Sequence, residues 1–366
     1  MKKVIVGMSG GVDSAVAAYL LIKEGYIVEG LFMRNWDSTV NNEYNINNDF
    51  ICPQEQDYND ALEVCKELNI PLHRVDFVKE YWDLVFTYFL EELKKGRTPN
   101  PDLLCNKFIK FDLFKKEAYN LSADYVATGH YARIKQNKLL RALDLSKDQT
   151  YFLASLSPNQ LKDVLFPLGE LTKEEVRNIA KENNIPVFNK KDSTGICFIG
   201  ERNYQKFISN YLKPNPGDII NIKTNEIIGT HNGLMNYTLG QRKNINLSGF
   251  KDRTYVCGKD IKQNLLYVTI GDTEYLYSNS CLVEDINFIS DTKPTFCTAK
   301  FRYQSKDIAV RIDYLENNKI KLYYDSKAKA VTPGQACVLY LGEECLGGGI
   351  IDKIYIDDQP IWYVNN

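Results

Sequence analysis

The chain begins with a strand, a glycine-rich loop and a helix in direct succession, and this pattern strongly constrains its fold. Lys3–Met8 is an apolar run typical of a buried strand, and Asp13–Glu24 has helical periodicity. The loop at residues 7–14 places backbone N–H groups and a helix N-terminus where they can hold a phosphate. Gly10 and Gly11 allow positive φ angles and a close approach of the backbone to an anion.

Asp13 limits what this loop can bind. Val12 and Asp13 stand where a Walker loop needs Gly-Lys, and the loop is not a G-x-G-x-x-G fingerprint either. A carboxylate would repel a bare phosphate, so a bridging Mg²⁺ would explain an acid at this position. A tight turn capped by serine and aspartate is the alternative that the loop alone leaves open.

Strands and helices alternate through the first 205 residues, which predicts an α/β fold with a parallel sheet. Within it we expect helices over Lys79–Lys95 and Phe108–Leu121. After the turn cluster at residues 214–217, short β-rich runs are separated by glycines. We therefore predict three domains: a parallel-sheet domain over 1–205, a small β-rich domain over 206–278 and a C-terminal β-barrel over 279–366.

Composition narrows the compartment and the cofactors. No apolar run approaches the ~18 residues of a membrane span, and the apolar stretch behind Met1 is too short for a signal peptide, so we expect a cytoplasmic protein without a membrane partner. Nine cysteines without a Cys-x-x-Cys pair, and only three histidines, argue against a structural zinc site and for reduced thiols. A monomer is our default expectation.

Two cysteines lie in unusual surroundings. Cys105 follows Asp102 by three residues and precedes Lys107 and Lys110. Cys197 lies by a glycine turn and follows two lysines at residues 190 and 191. Neighbouring cations, and a helix that starts near residue 106, would lower the thiol pKa and favour the thiolate. The alternative for each cysteine is an inert, partly buried thiol.

The loop string Ser-Gly-Gly-Val-Asp-Ser resembles the signature of the PP-loop ATP pyrophosphatases, enzymes that adenylate a carbonyl oxygen before a nucleophile displaces AMP. The resemblance implies ATP as co-substrate, with Mg²⁺, and no stable prosthetic group. Met33 and Gly129 lie at the ends of two further predicted strands, where ligands of parallel sheets bind. The implied ATP-binding residues are Gly7, Met8, Ser9, Gly10, Gly11, Val12, Asp13, Ser14, Met33 and Gly129.

A closer resemblance covers essentially the whole chain. The chain is similar to the bacterial tRNA-specific 2-thiouridylases, and the pair of cysteine motifs makes the match specific. The segments that carry it, besides the loop, are residues 100–105, 127–133, 147–149, 193–200, 239–243, 301–303 and 331–336.

This resemblance implies a mechanism. ATP adenylates O2 of the wobble uridine (U34) of a tRNA, and Cys197 carries a persulfide sulfur delivered by a cysteine desulfurase or a relay protein. The sulfur attacks C2 directly, or after release as sulfide assisted by Cys105, and AMP leaves. A Cys105–Cys197 disulfide forms and must be reduced. Asp102 is implied as general acid/base.

The resemblance also implies the residues that face RNA. Asn100, Pro101 and Asp102 would surround the target base, and tRNAs for Lys, Glu and Gln would be the substrates. The remaining implied tRNA contacts are His130, Lys147, Asp148, Gln149, Arg302, Tyr303 and Gln335.

Local charge agrees with an RNA partner although the net charge is −2. Residues 94–116 carry seven Lys or Arg against two Asp, and residues 300–329 carry eight against four acids, with aromatic residues interleaved. Basic stretches with aromatics fit phosphate contacts and base stacking. A solvated barrel face is the alternative.

Other functions stay open on the residues alone. Another PP-loop ligase could deliver nitrogen to an adenylated carbonyl, and such an enzyme would not need the two placed cysteines. A catalytically silent tRNA- or nucleotide-binding protein is a second possibility. An iron–sulfur cluster at Cys105 and Cys197 is a third, with a sparse ligand set for a cluster usually held by four cysteines.

The basic stretches lead to a prediction about salt. If they contact phosphates, tRNA affinity should fall by about tenfold or more between roughly 50 and 200 mM salt, because counterions are released on binding. A filter-binding titration at several salt concentrations measures this. An affinity that does not change with salt would contradict the assignment.

Overall fold

The structure is a computed structural model that describes residues 1–37, 53–191 and 204–364. It divides into two units. The first comprises Met1–Phe86, Pro101–Glu201 and Glu343–Cys345, and the second comprises Thr87–Asn100, Arg202–Gly342 and Leu346–Asn366.

The first unit is built on a parallel sheet. The strands described in this unit are β1 (Lys3–Gly7), β2 (Ile27–Arg34), β3 (Leu72–Asp76), β4 (Tyr125–Ala127), β5 (Ala132–Lys135), β6 (Lys138–Arg141) and β7 (Val164–Leu165). Five of them form one sheet in the order β3-β2-β1-β4-β7, and all four pairings are parallel. β5 and β6 form an antiparallel hairpin, which we did not predict.

Helices connect these strands. The described helices of the chain are α1 (Val12–Lys23), α2 (Pro53–Glu67), α3 (Val78–Tyr81), α4 (Thr87–Lys94), α5 (Pro101–Leu104), α6 (Phe114–Asn120), α7 (Thr150–Leu153), α8 (Pro158–Leu161), α9 (Lys173–Glu182) and α10 (Tyr204–Ser209). Two π-helical stretches, Trp82–Phe86 and Cys105–Leu113, lie within the longer helical runs.

The sequence pattern explains the central part of this unit. Val4, Ile5 and Val6 of β1 are fully buried, as expected for a strand with helices on both faces of its sheet. They pack in a core with the small and branched side chains of α1, among them Ala15 and Val16. α9 begins at a capping box in which Thr172 and Glu175 satisfy each other's backbone N–H.

Two helix predictions were partly wrong. The run predicted over Lys79–Lys95 is interrupted by a π-helical stretch, which hydrophobic periodicity does not reveal. The helix predicted over Phe108–Leu121 begins seven residues earlier, at Pro101. Proline fits the first helical position, where its missing N–H needs no partner. Cys105 therefore lies inside a helical run and not ahead of its N-terminus.

The second unit is predominantly β. A four-stranded sheet has the order β10-β11-β8-β9, with β8 (Gly217–Asn221), β9 (Ile227–His231), β10 (Thr254–Asp260) and β11 (Leu265–Ile270). The remaining strands are β12 (Tyr277–Phe288), β13 (Phe296–Lys300), β14 (Ile308–Leu315), β15 (Lys319–Lys329), β16 (Ala336–Leu341), β17 (Glu344–Ile356) and the short β18 (Gln359–Pro360).

Six of these strands close a barrel. They follow the order β12-β15-β14-β13-β16-β17, and β17 pairs back onto β12. Its interior is filled by alternate side chains, including Val283, Ile320, Leu322 and Leu339, each with no exposed surface. The predicted fold class is confirmed: a parallel-sheet domain, a small β-rich domain and a C-terminal barrel. Among the described residues, no helix combines the length and apolarity needed to span a bilayer.

Candidate active site

The glycine-rich loop lies where the strand order of the parallel sheet reverses. From β1 the chain adds β2 and β3 on one side, and β4 and β7 lie on the other. Ligands of such sheets bind at the carboxyl ends of the two strands that flank this point. The loop follows β1 and Gly129 follows β4, so both lie at this edge. A Cβ on Gly129 would lie 2.8 Å from backbone atoms of Asp13 and Ser14.

Two features determine the conformation of the loop. Gly10 has φ +71°, and a Cβ there would lie 2.2 Å from the carbonyl oxygen of Asp57, so only glycine fits. The hydroxyl of Ser14 donates to the carbonyl of Gly11 at 3.0 Å and accepts the N–H of Ser9 at 3.2 Å. These two hydrogen bonds tie the loop to the first turn of α1.

Asp13 has a protein cation as its partner. Nζ of Lys173 lies 2.7 Å and 2.9 Å from its two carboxylate oxygens, and the hydroxyl of Tyr131 donates to Oδ1 at 2.9 Å. We expected a bridging Mg²⁺ to explain this acid. In the structure the Lys173 ammonium neutralises this carboxylate, and the Mg²⁺ stays a prediction.

Lys190 contacts the other side of the loop. Its Nζ donates to the carbonyl of Gly10 at 3.0 Å and to the carboxylates of Asp57 and Asp60 at 2.8 Å and 2.5 Å. These hydrogen bonds raise its pKa against the opposing effect of burial. Sequence reasoning missed Lys173 and Lys190 as loop neighbours, because Lys173 is 160 residues from Asp13 and Lys190 is 180 residues from Gly10.

Met33 lies near the end of β2, opposite Val75 of β3. It is half-buried at the same edge of the sheet as the loop. The structure thus places all ten expected ATP-binding residues on three neighbouring strands or their connections: β1, β2 and β4.

Cys105 is buried with no exposed surface, in the π-helical stretch that follows α5. Burial raises the pKa of its thiol from an ordinary value of 9.0 to about 11; Lys110 opposes this shift and Asp102 adds to it. Our expectation that neighbouring cations favour the thiolate was wrong for this conformation, since desolvation outweighs them. Cys197 lies outside the described residues.

His130 packs against two aromatic rings that also contact each other. Its ring centroid lies 5.8 Å from that of Phe111 and 6.0 Å from that of Phe166, and its Nδ1 lies 2.7 Å from Oγ1 of Thr128. Burial, with a smaller contribution from Lys110, holds its pKa well below the usual range. The imidazole is therefore neutral near pH 7.

The segment at residues 147–149 is held from within the first unit. The buried carboxylate of Asp148 accepts the N–H of Ala142 at 3.1 Å and the hydroxyl of Thr150 at 2.8 Å and 3.0 Å. Gln149 accepts the N–H of Tyr131 at 2.9 Å. Lys147 is half-buried. Asp148 thus holds the segment at residues 142–150 in place through hydrogen bonds to protein groups.

Three expected RNA contacts, and Asn100 of the expected base contacts, belong to the second unit. Arg302 donates to the carbonyl of Leu239 at 2.5 Å and to the hydroxyl of Thr332 at 2.7 Å. Gln335 donates to the carbonyl of Thr98 at 2.6 Å. Tyr303 and Asn100 are half-buried, and Pro101 and Asp102 belong to α5 of the first unit.

Within the described ranges, no three His, Cys, Asp or Glu side chains are grouped as metal ligands. The carboxylates nearest the loop, Asp13, Asp57 and Asp60, are paired with lysine ammonium groups.

Three family models match the chain in succession. The description "tRNA methyl transferase HUP domain" belongs to the model that matches residues 2–201. "tRNA methyl transferase PRC-barrel domain" matches residues 205–270, and "Aminomethyltransferase beta-barrel domain" matches residues 278–351.

Curated proteins are similar over nearly the full length. A tRNA-specific 2-thiouridylase MnmA of Mycoplasmopsis synoviae is 56% identical over 370 residues, covering 99% of both chains. The protein of the same name from Geobacillus thermodenitrificans is 50% identical over 370 residues, covering 99% of this chain and 98% of its own.

Solved structures are more distant. A 4-thiouridine synthetase–RNA complex with bound ATP is 19% identical with a TM-score of 0.33, covering 52% of this chain and 43% of its own. The NMN synthetase from Francisella tularensis is also 19% identical, with a TM-score of 0.34 and coverage of 57% and 72%.

The environment of Cys105 predicts low reactivity. With a pKa of about 11 in place of 9.0, its thiolate fraction at pH 8 is about a hundredfold lower than in the unfolded chain. Alkylation by iodoacetamide, followed by peptide mass spectrometry, should therefore be at least that much slower in the native protein than in denaturant. Equal rates under the two conditions would contradict the buried, protonated thiol.

Proposed function

Because the chain belongs to the tRNA-specific 2-thiouridylase MnmA family, we propose that it catalyses ATP-dependent 2-thiolation of the wobble uridine (U34) of tRNA. The reaction would produce 2-thiouridine, AMP and pyrophosphate. The structural observation that most supports the proposal is the loop at residues 7–14, enclosed by Gly129 at the reversal point of a parallel sheet. That position suits the triphosphate of a nucleotide.

We propose that residues 7–14 bind the phosphates through backbone N–H groups and that Met33 and Gly129 border the nucleotide. The N-terminus of α1 contributes its positive dipole end. Lys173, 11% exposed, lies beside the loop, where it keeps Asp13 from repelling the phosphates. Mg²⁺ would accompany the phosphate oxygens of ATP and neutralise their charge.

The proposed chemistry proceeds in two stages. O2 of the uridine attacks the α-phosphorus of ATP and pyrophosphate leaves, which makes O2 part of a good leaving group. The terminal sulfur of a Cys197 persulfide then attacks C2, and AMP leaves with the electrons of the C2–O2 bond. Cys105 attacks Sγ of Cys197, so that the product keeps the transferred sulfur and a Cys105–Cys197 disulfide remains. An external dithiol reduces the disulfide, and a persulfide donor reloads Cys197.

Asp102 and Cys105 lie three residues apart on one helical run, so their side chains point to the same side. We propose Asp102 as the general acid/base that moves the uridine N3 proton as electrons shift between O2 and the ring. Its Oδ1 is buried, an environment in which a carboxyl group can be adapted to proton transfer. Asn100 and Pro101 would complete the contacts to the target base, which must leave the anticodon stack.

The remaining assignments follow the family. We propose that His130, Lys147, Gln149, Arg302, Tyr303 and Gln335 contact tRNA and that Asp148 shapes the 142–150 loop that presents its neighbours. The neutral imidazole of His130 suits stacking or hydrogen bonding better than pairing with a phosphate.

The ranges matched by the family models support domains over 1–205, 206–278 and 279–366. We propose a monomer acting on the Lys, Glu and Gln tRNAs.

The decisive experiment is mass spectrometry of tRNA nucleosides after incubation with ATP, a persulfide donor and the protein. Wild type should yield 2-thiouridine, whereas Cys105→Ser and Cys197→Ser should each abolish it without unfolding the protein. Cys297→Ser, at a buried thiol of the barrel, is the matched control and should keep the activity. Thiolation by either site variant would contradict the assignment.

The same assay separates the alternatives. A nitrogen-delivering ligase would leave an amine in place of O2 and would not depend on the two cysteines. Methyl transfer, suggested by the words "tRNA methyl transferase" in the descriptions of two family models, would need S-adenosylmethionine and no ATP. A silent binding protein would release no pyrophosphate in the presence of tRNA.

A pair of glycines tests the nucleotide site. Gly10→Ala and Gly25→Ala each force alanine into a positive φ, of +71° and +85°, which costs about 1–2 kcal/mol. Only Gly10 also faces a backbone oxygen, since a Cβ on Gly25 meets nothing within 4 Å. We expect Gly10→Ala to weaken ATP binding by about tenfold or more in calorimetry and Gly25→Ala to leave it unchanged. Equal affinities would argue against the loop as the phosphate site.

A further inference from the structure

Residues 96–100 form a segment of the second unit that we call the strap. It follows α4 and ends at Asn100, after which the chain enters the first unit at Pro101. The strap begins at Gly96 with φ +73°, where the N–H of Gly96 and that of Arg97 bond back to the carbonyls of Leu93 and Glu92. Its start is therefore fixed by the end of α4.

Arg97 binds three carboxylates, one from α4 and two from the barrel. Its Nη1 lies 3.1 Å from Glu92 and 3.2 Å from Glu284 of β12, and its Nη2 donates to Asp352 of β17. The side chain of Arg97 is 16% exposed and that of Glu92 is 2% exposed. Lys95 and Lys319 also pair with these acids, so three cations balance three anions. A guanidinium presents five N–H donors in a rigid planar fork, whereas a lysine ammonium presents three donors at a single point, so lysine does not reproduce these contacts at residue 97.

The next residue is held by a turn of the barrel. The N–H of Thr98 donates to the carbonyl of Pro333 at 3.0 Å, and its carbonyl accepts Nε2 of Gln335 at 2.6 Å. Gly334, with φ +89°, lies so close that a Cβ would be 2.8 Å from the Thr98 nitrogen. Arg302 in turn holds this turn through the hydroxyl of Thr332.

The central sheet fixes the strap from another side. Nζ of Lys259 donates to the carbonyl of Gly96 at 3.0 Å, and a Cβ on Gly96 would lie 2.2 Å from Ile261. Strap residues 96, 97 and 98 are thus each bound by a different group of residues, and Pro99 stiffens the step to Asn100.

We propose that the strap couples the tRNA-contacting surface to the target-base site, with Arg97 as its positioning residue. Arg302 and Gln335, proposed tRNA contacts, hold the Thr332–Gln335 turn and the Thr98 carbonyl, and Asn100, a proposed base contact, lies two residues further. RNA bound to Arg302 and Gln335 would therefore change how firmly the turn and Thr98 are held, and through them the position of Asn100. This inference rests on the proposed function.

Two turn glycines of the barrel provide the test. Gly334→Ala places a methyl group against Thr98, whereas Gly342→Ala, also at positive φ (+59°), meets nothing within 4 Å. Three measurements apply to both variants: hydrogen exchange of the peptide that contains Thr98, the Kd for tRNA, and the single-turnover thiolation rate at saturating tRNA. Arg97→Lys is the second probe, because it keeps the charge but not the three-way contact.

We expect Gly334→Ala and Arg97→Lys to speed exchange of the strap and to slow the saturating rate by about tenfold or more, with Kd changed by less than about threefold. Gly342→Ala should match wild type in all three. A loosened strap with an unchanged saturating rate would overturn the proposal, and so would a loss confined to Kd. Absence of 2-thiouridine from both wild type and Gly342→Ala would instead contradict the proposed function.

Discussion

The close approach of backbone to backbone at the edge of the parallel sheet is the constraint on which the first unit depends. Gly129 touches the Asp13–Ser14 backbone and Gly10 touches the Asp57 carbonyl, so the loop is enclosed on two sides without any side chain between. An anion bound at this edge would contact the N–H groups of the loop. The lysines at residues 173 and 190 then neutralise the acids that close packing brings to the loop.

Much of this arrangement could be predicted from local sequence. β1, the loop and α1 follow from an apolar run, two glycines and helical periodicity within 24 residues, and the confirmed fold class follows from how such units alternate. The β5–β6 hairpin escaped prediction because its strands are only four residues long. The start of α5 escaped because Asn-Pro-Asp is also typical of a turn.

The electrostatics of the site could not be predicted, because they depend on distant residues. Asp13 finds its cation 160 positions away, and the thiol of Cys105 is governed by burial and not by the lysines beside it in sequence. The basic stretch at 94–116 is also less available to RNA than its composition indicates. Lys95 and Arg97 are paired with acids, and Lys115 donates to three carbonyl groups at the end of α8.

A thiol that is enclosed and protonated has one more property. Peroxide and other oxidants attack thiolates that they can reach, and Cys105 offers neither charge nor surface in this conformation. An enzyme that needs this sulfur only once per cycle would gain from such storage, because a buried, protonated thiol is oxidised to sulfenic or sulfinic acid more slowly than an exposed thiolate. Burial that makes Cys105 a poor nucleophile at rest would then also preserve it between turnovers.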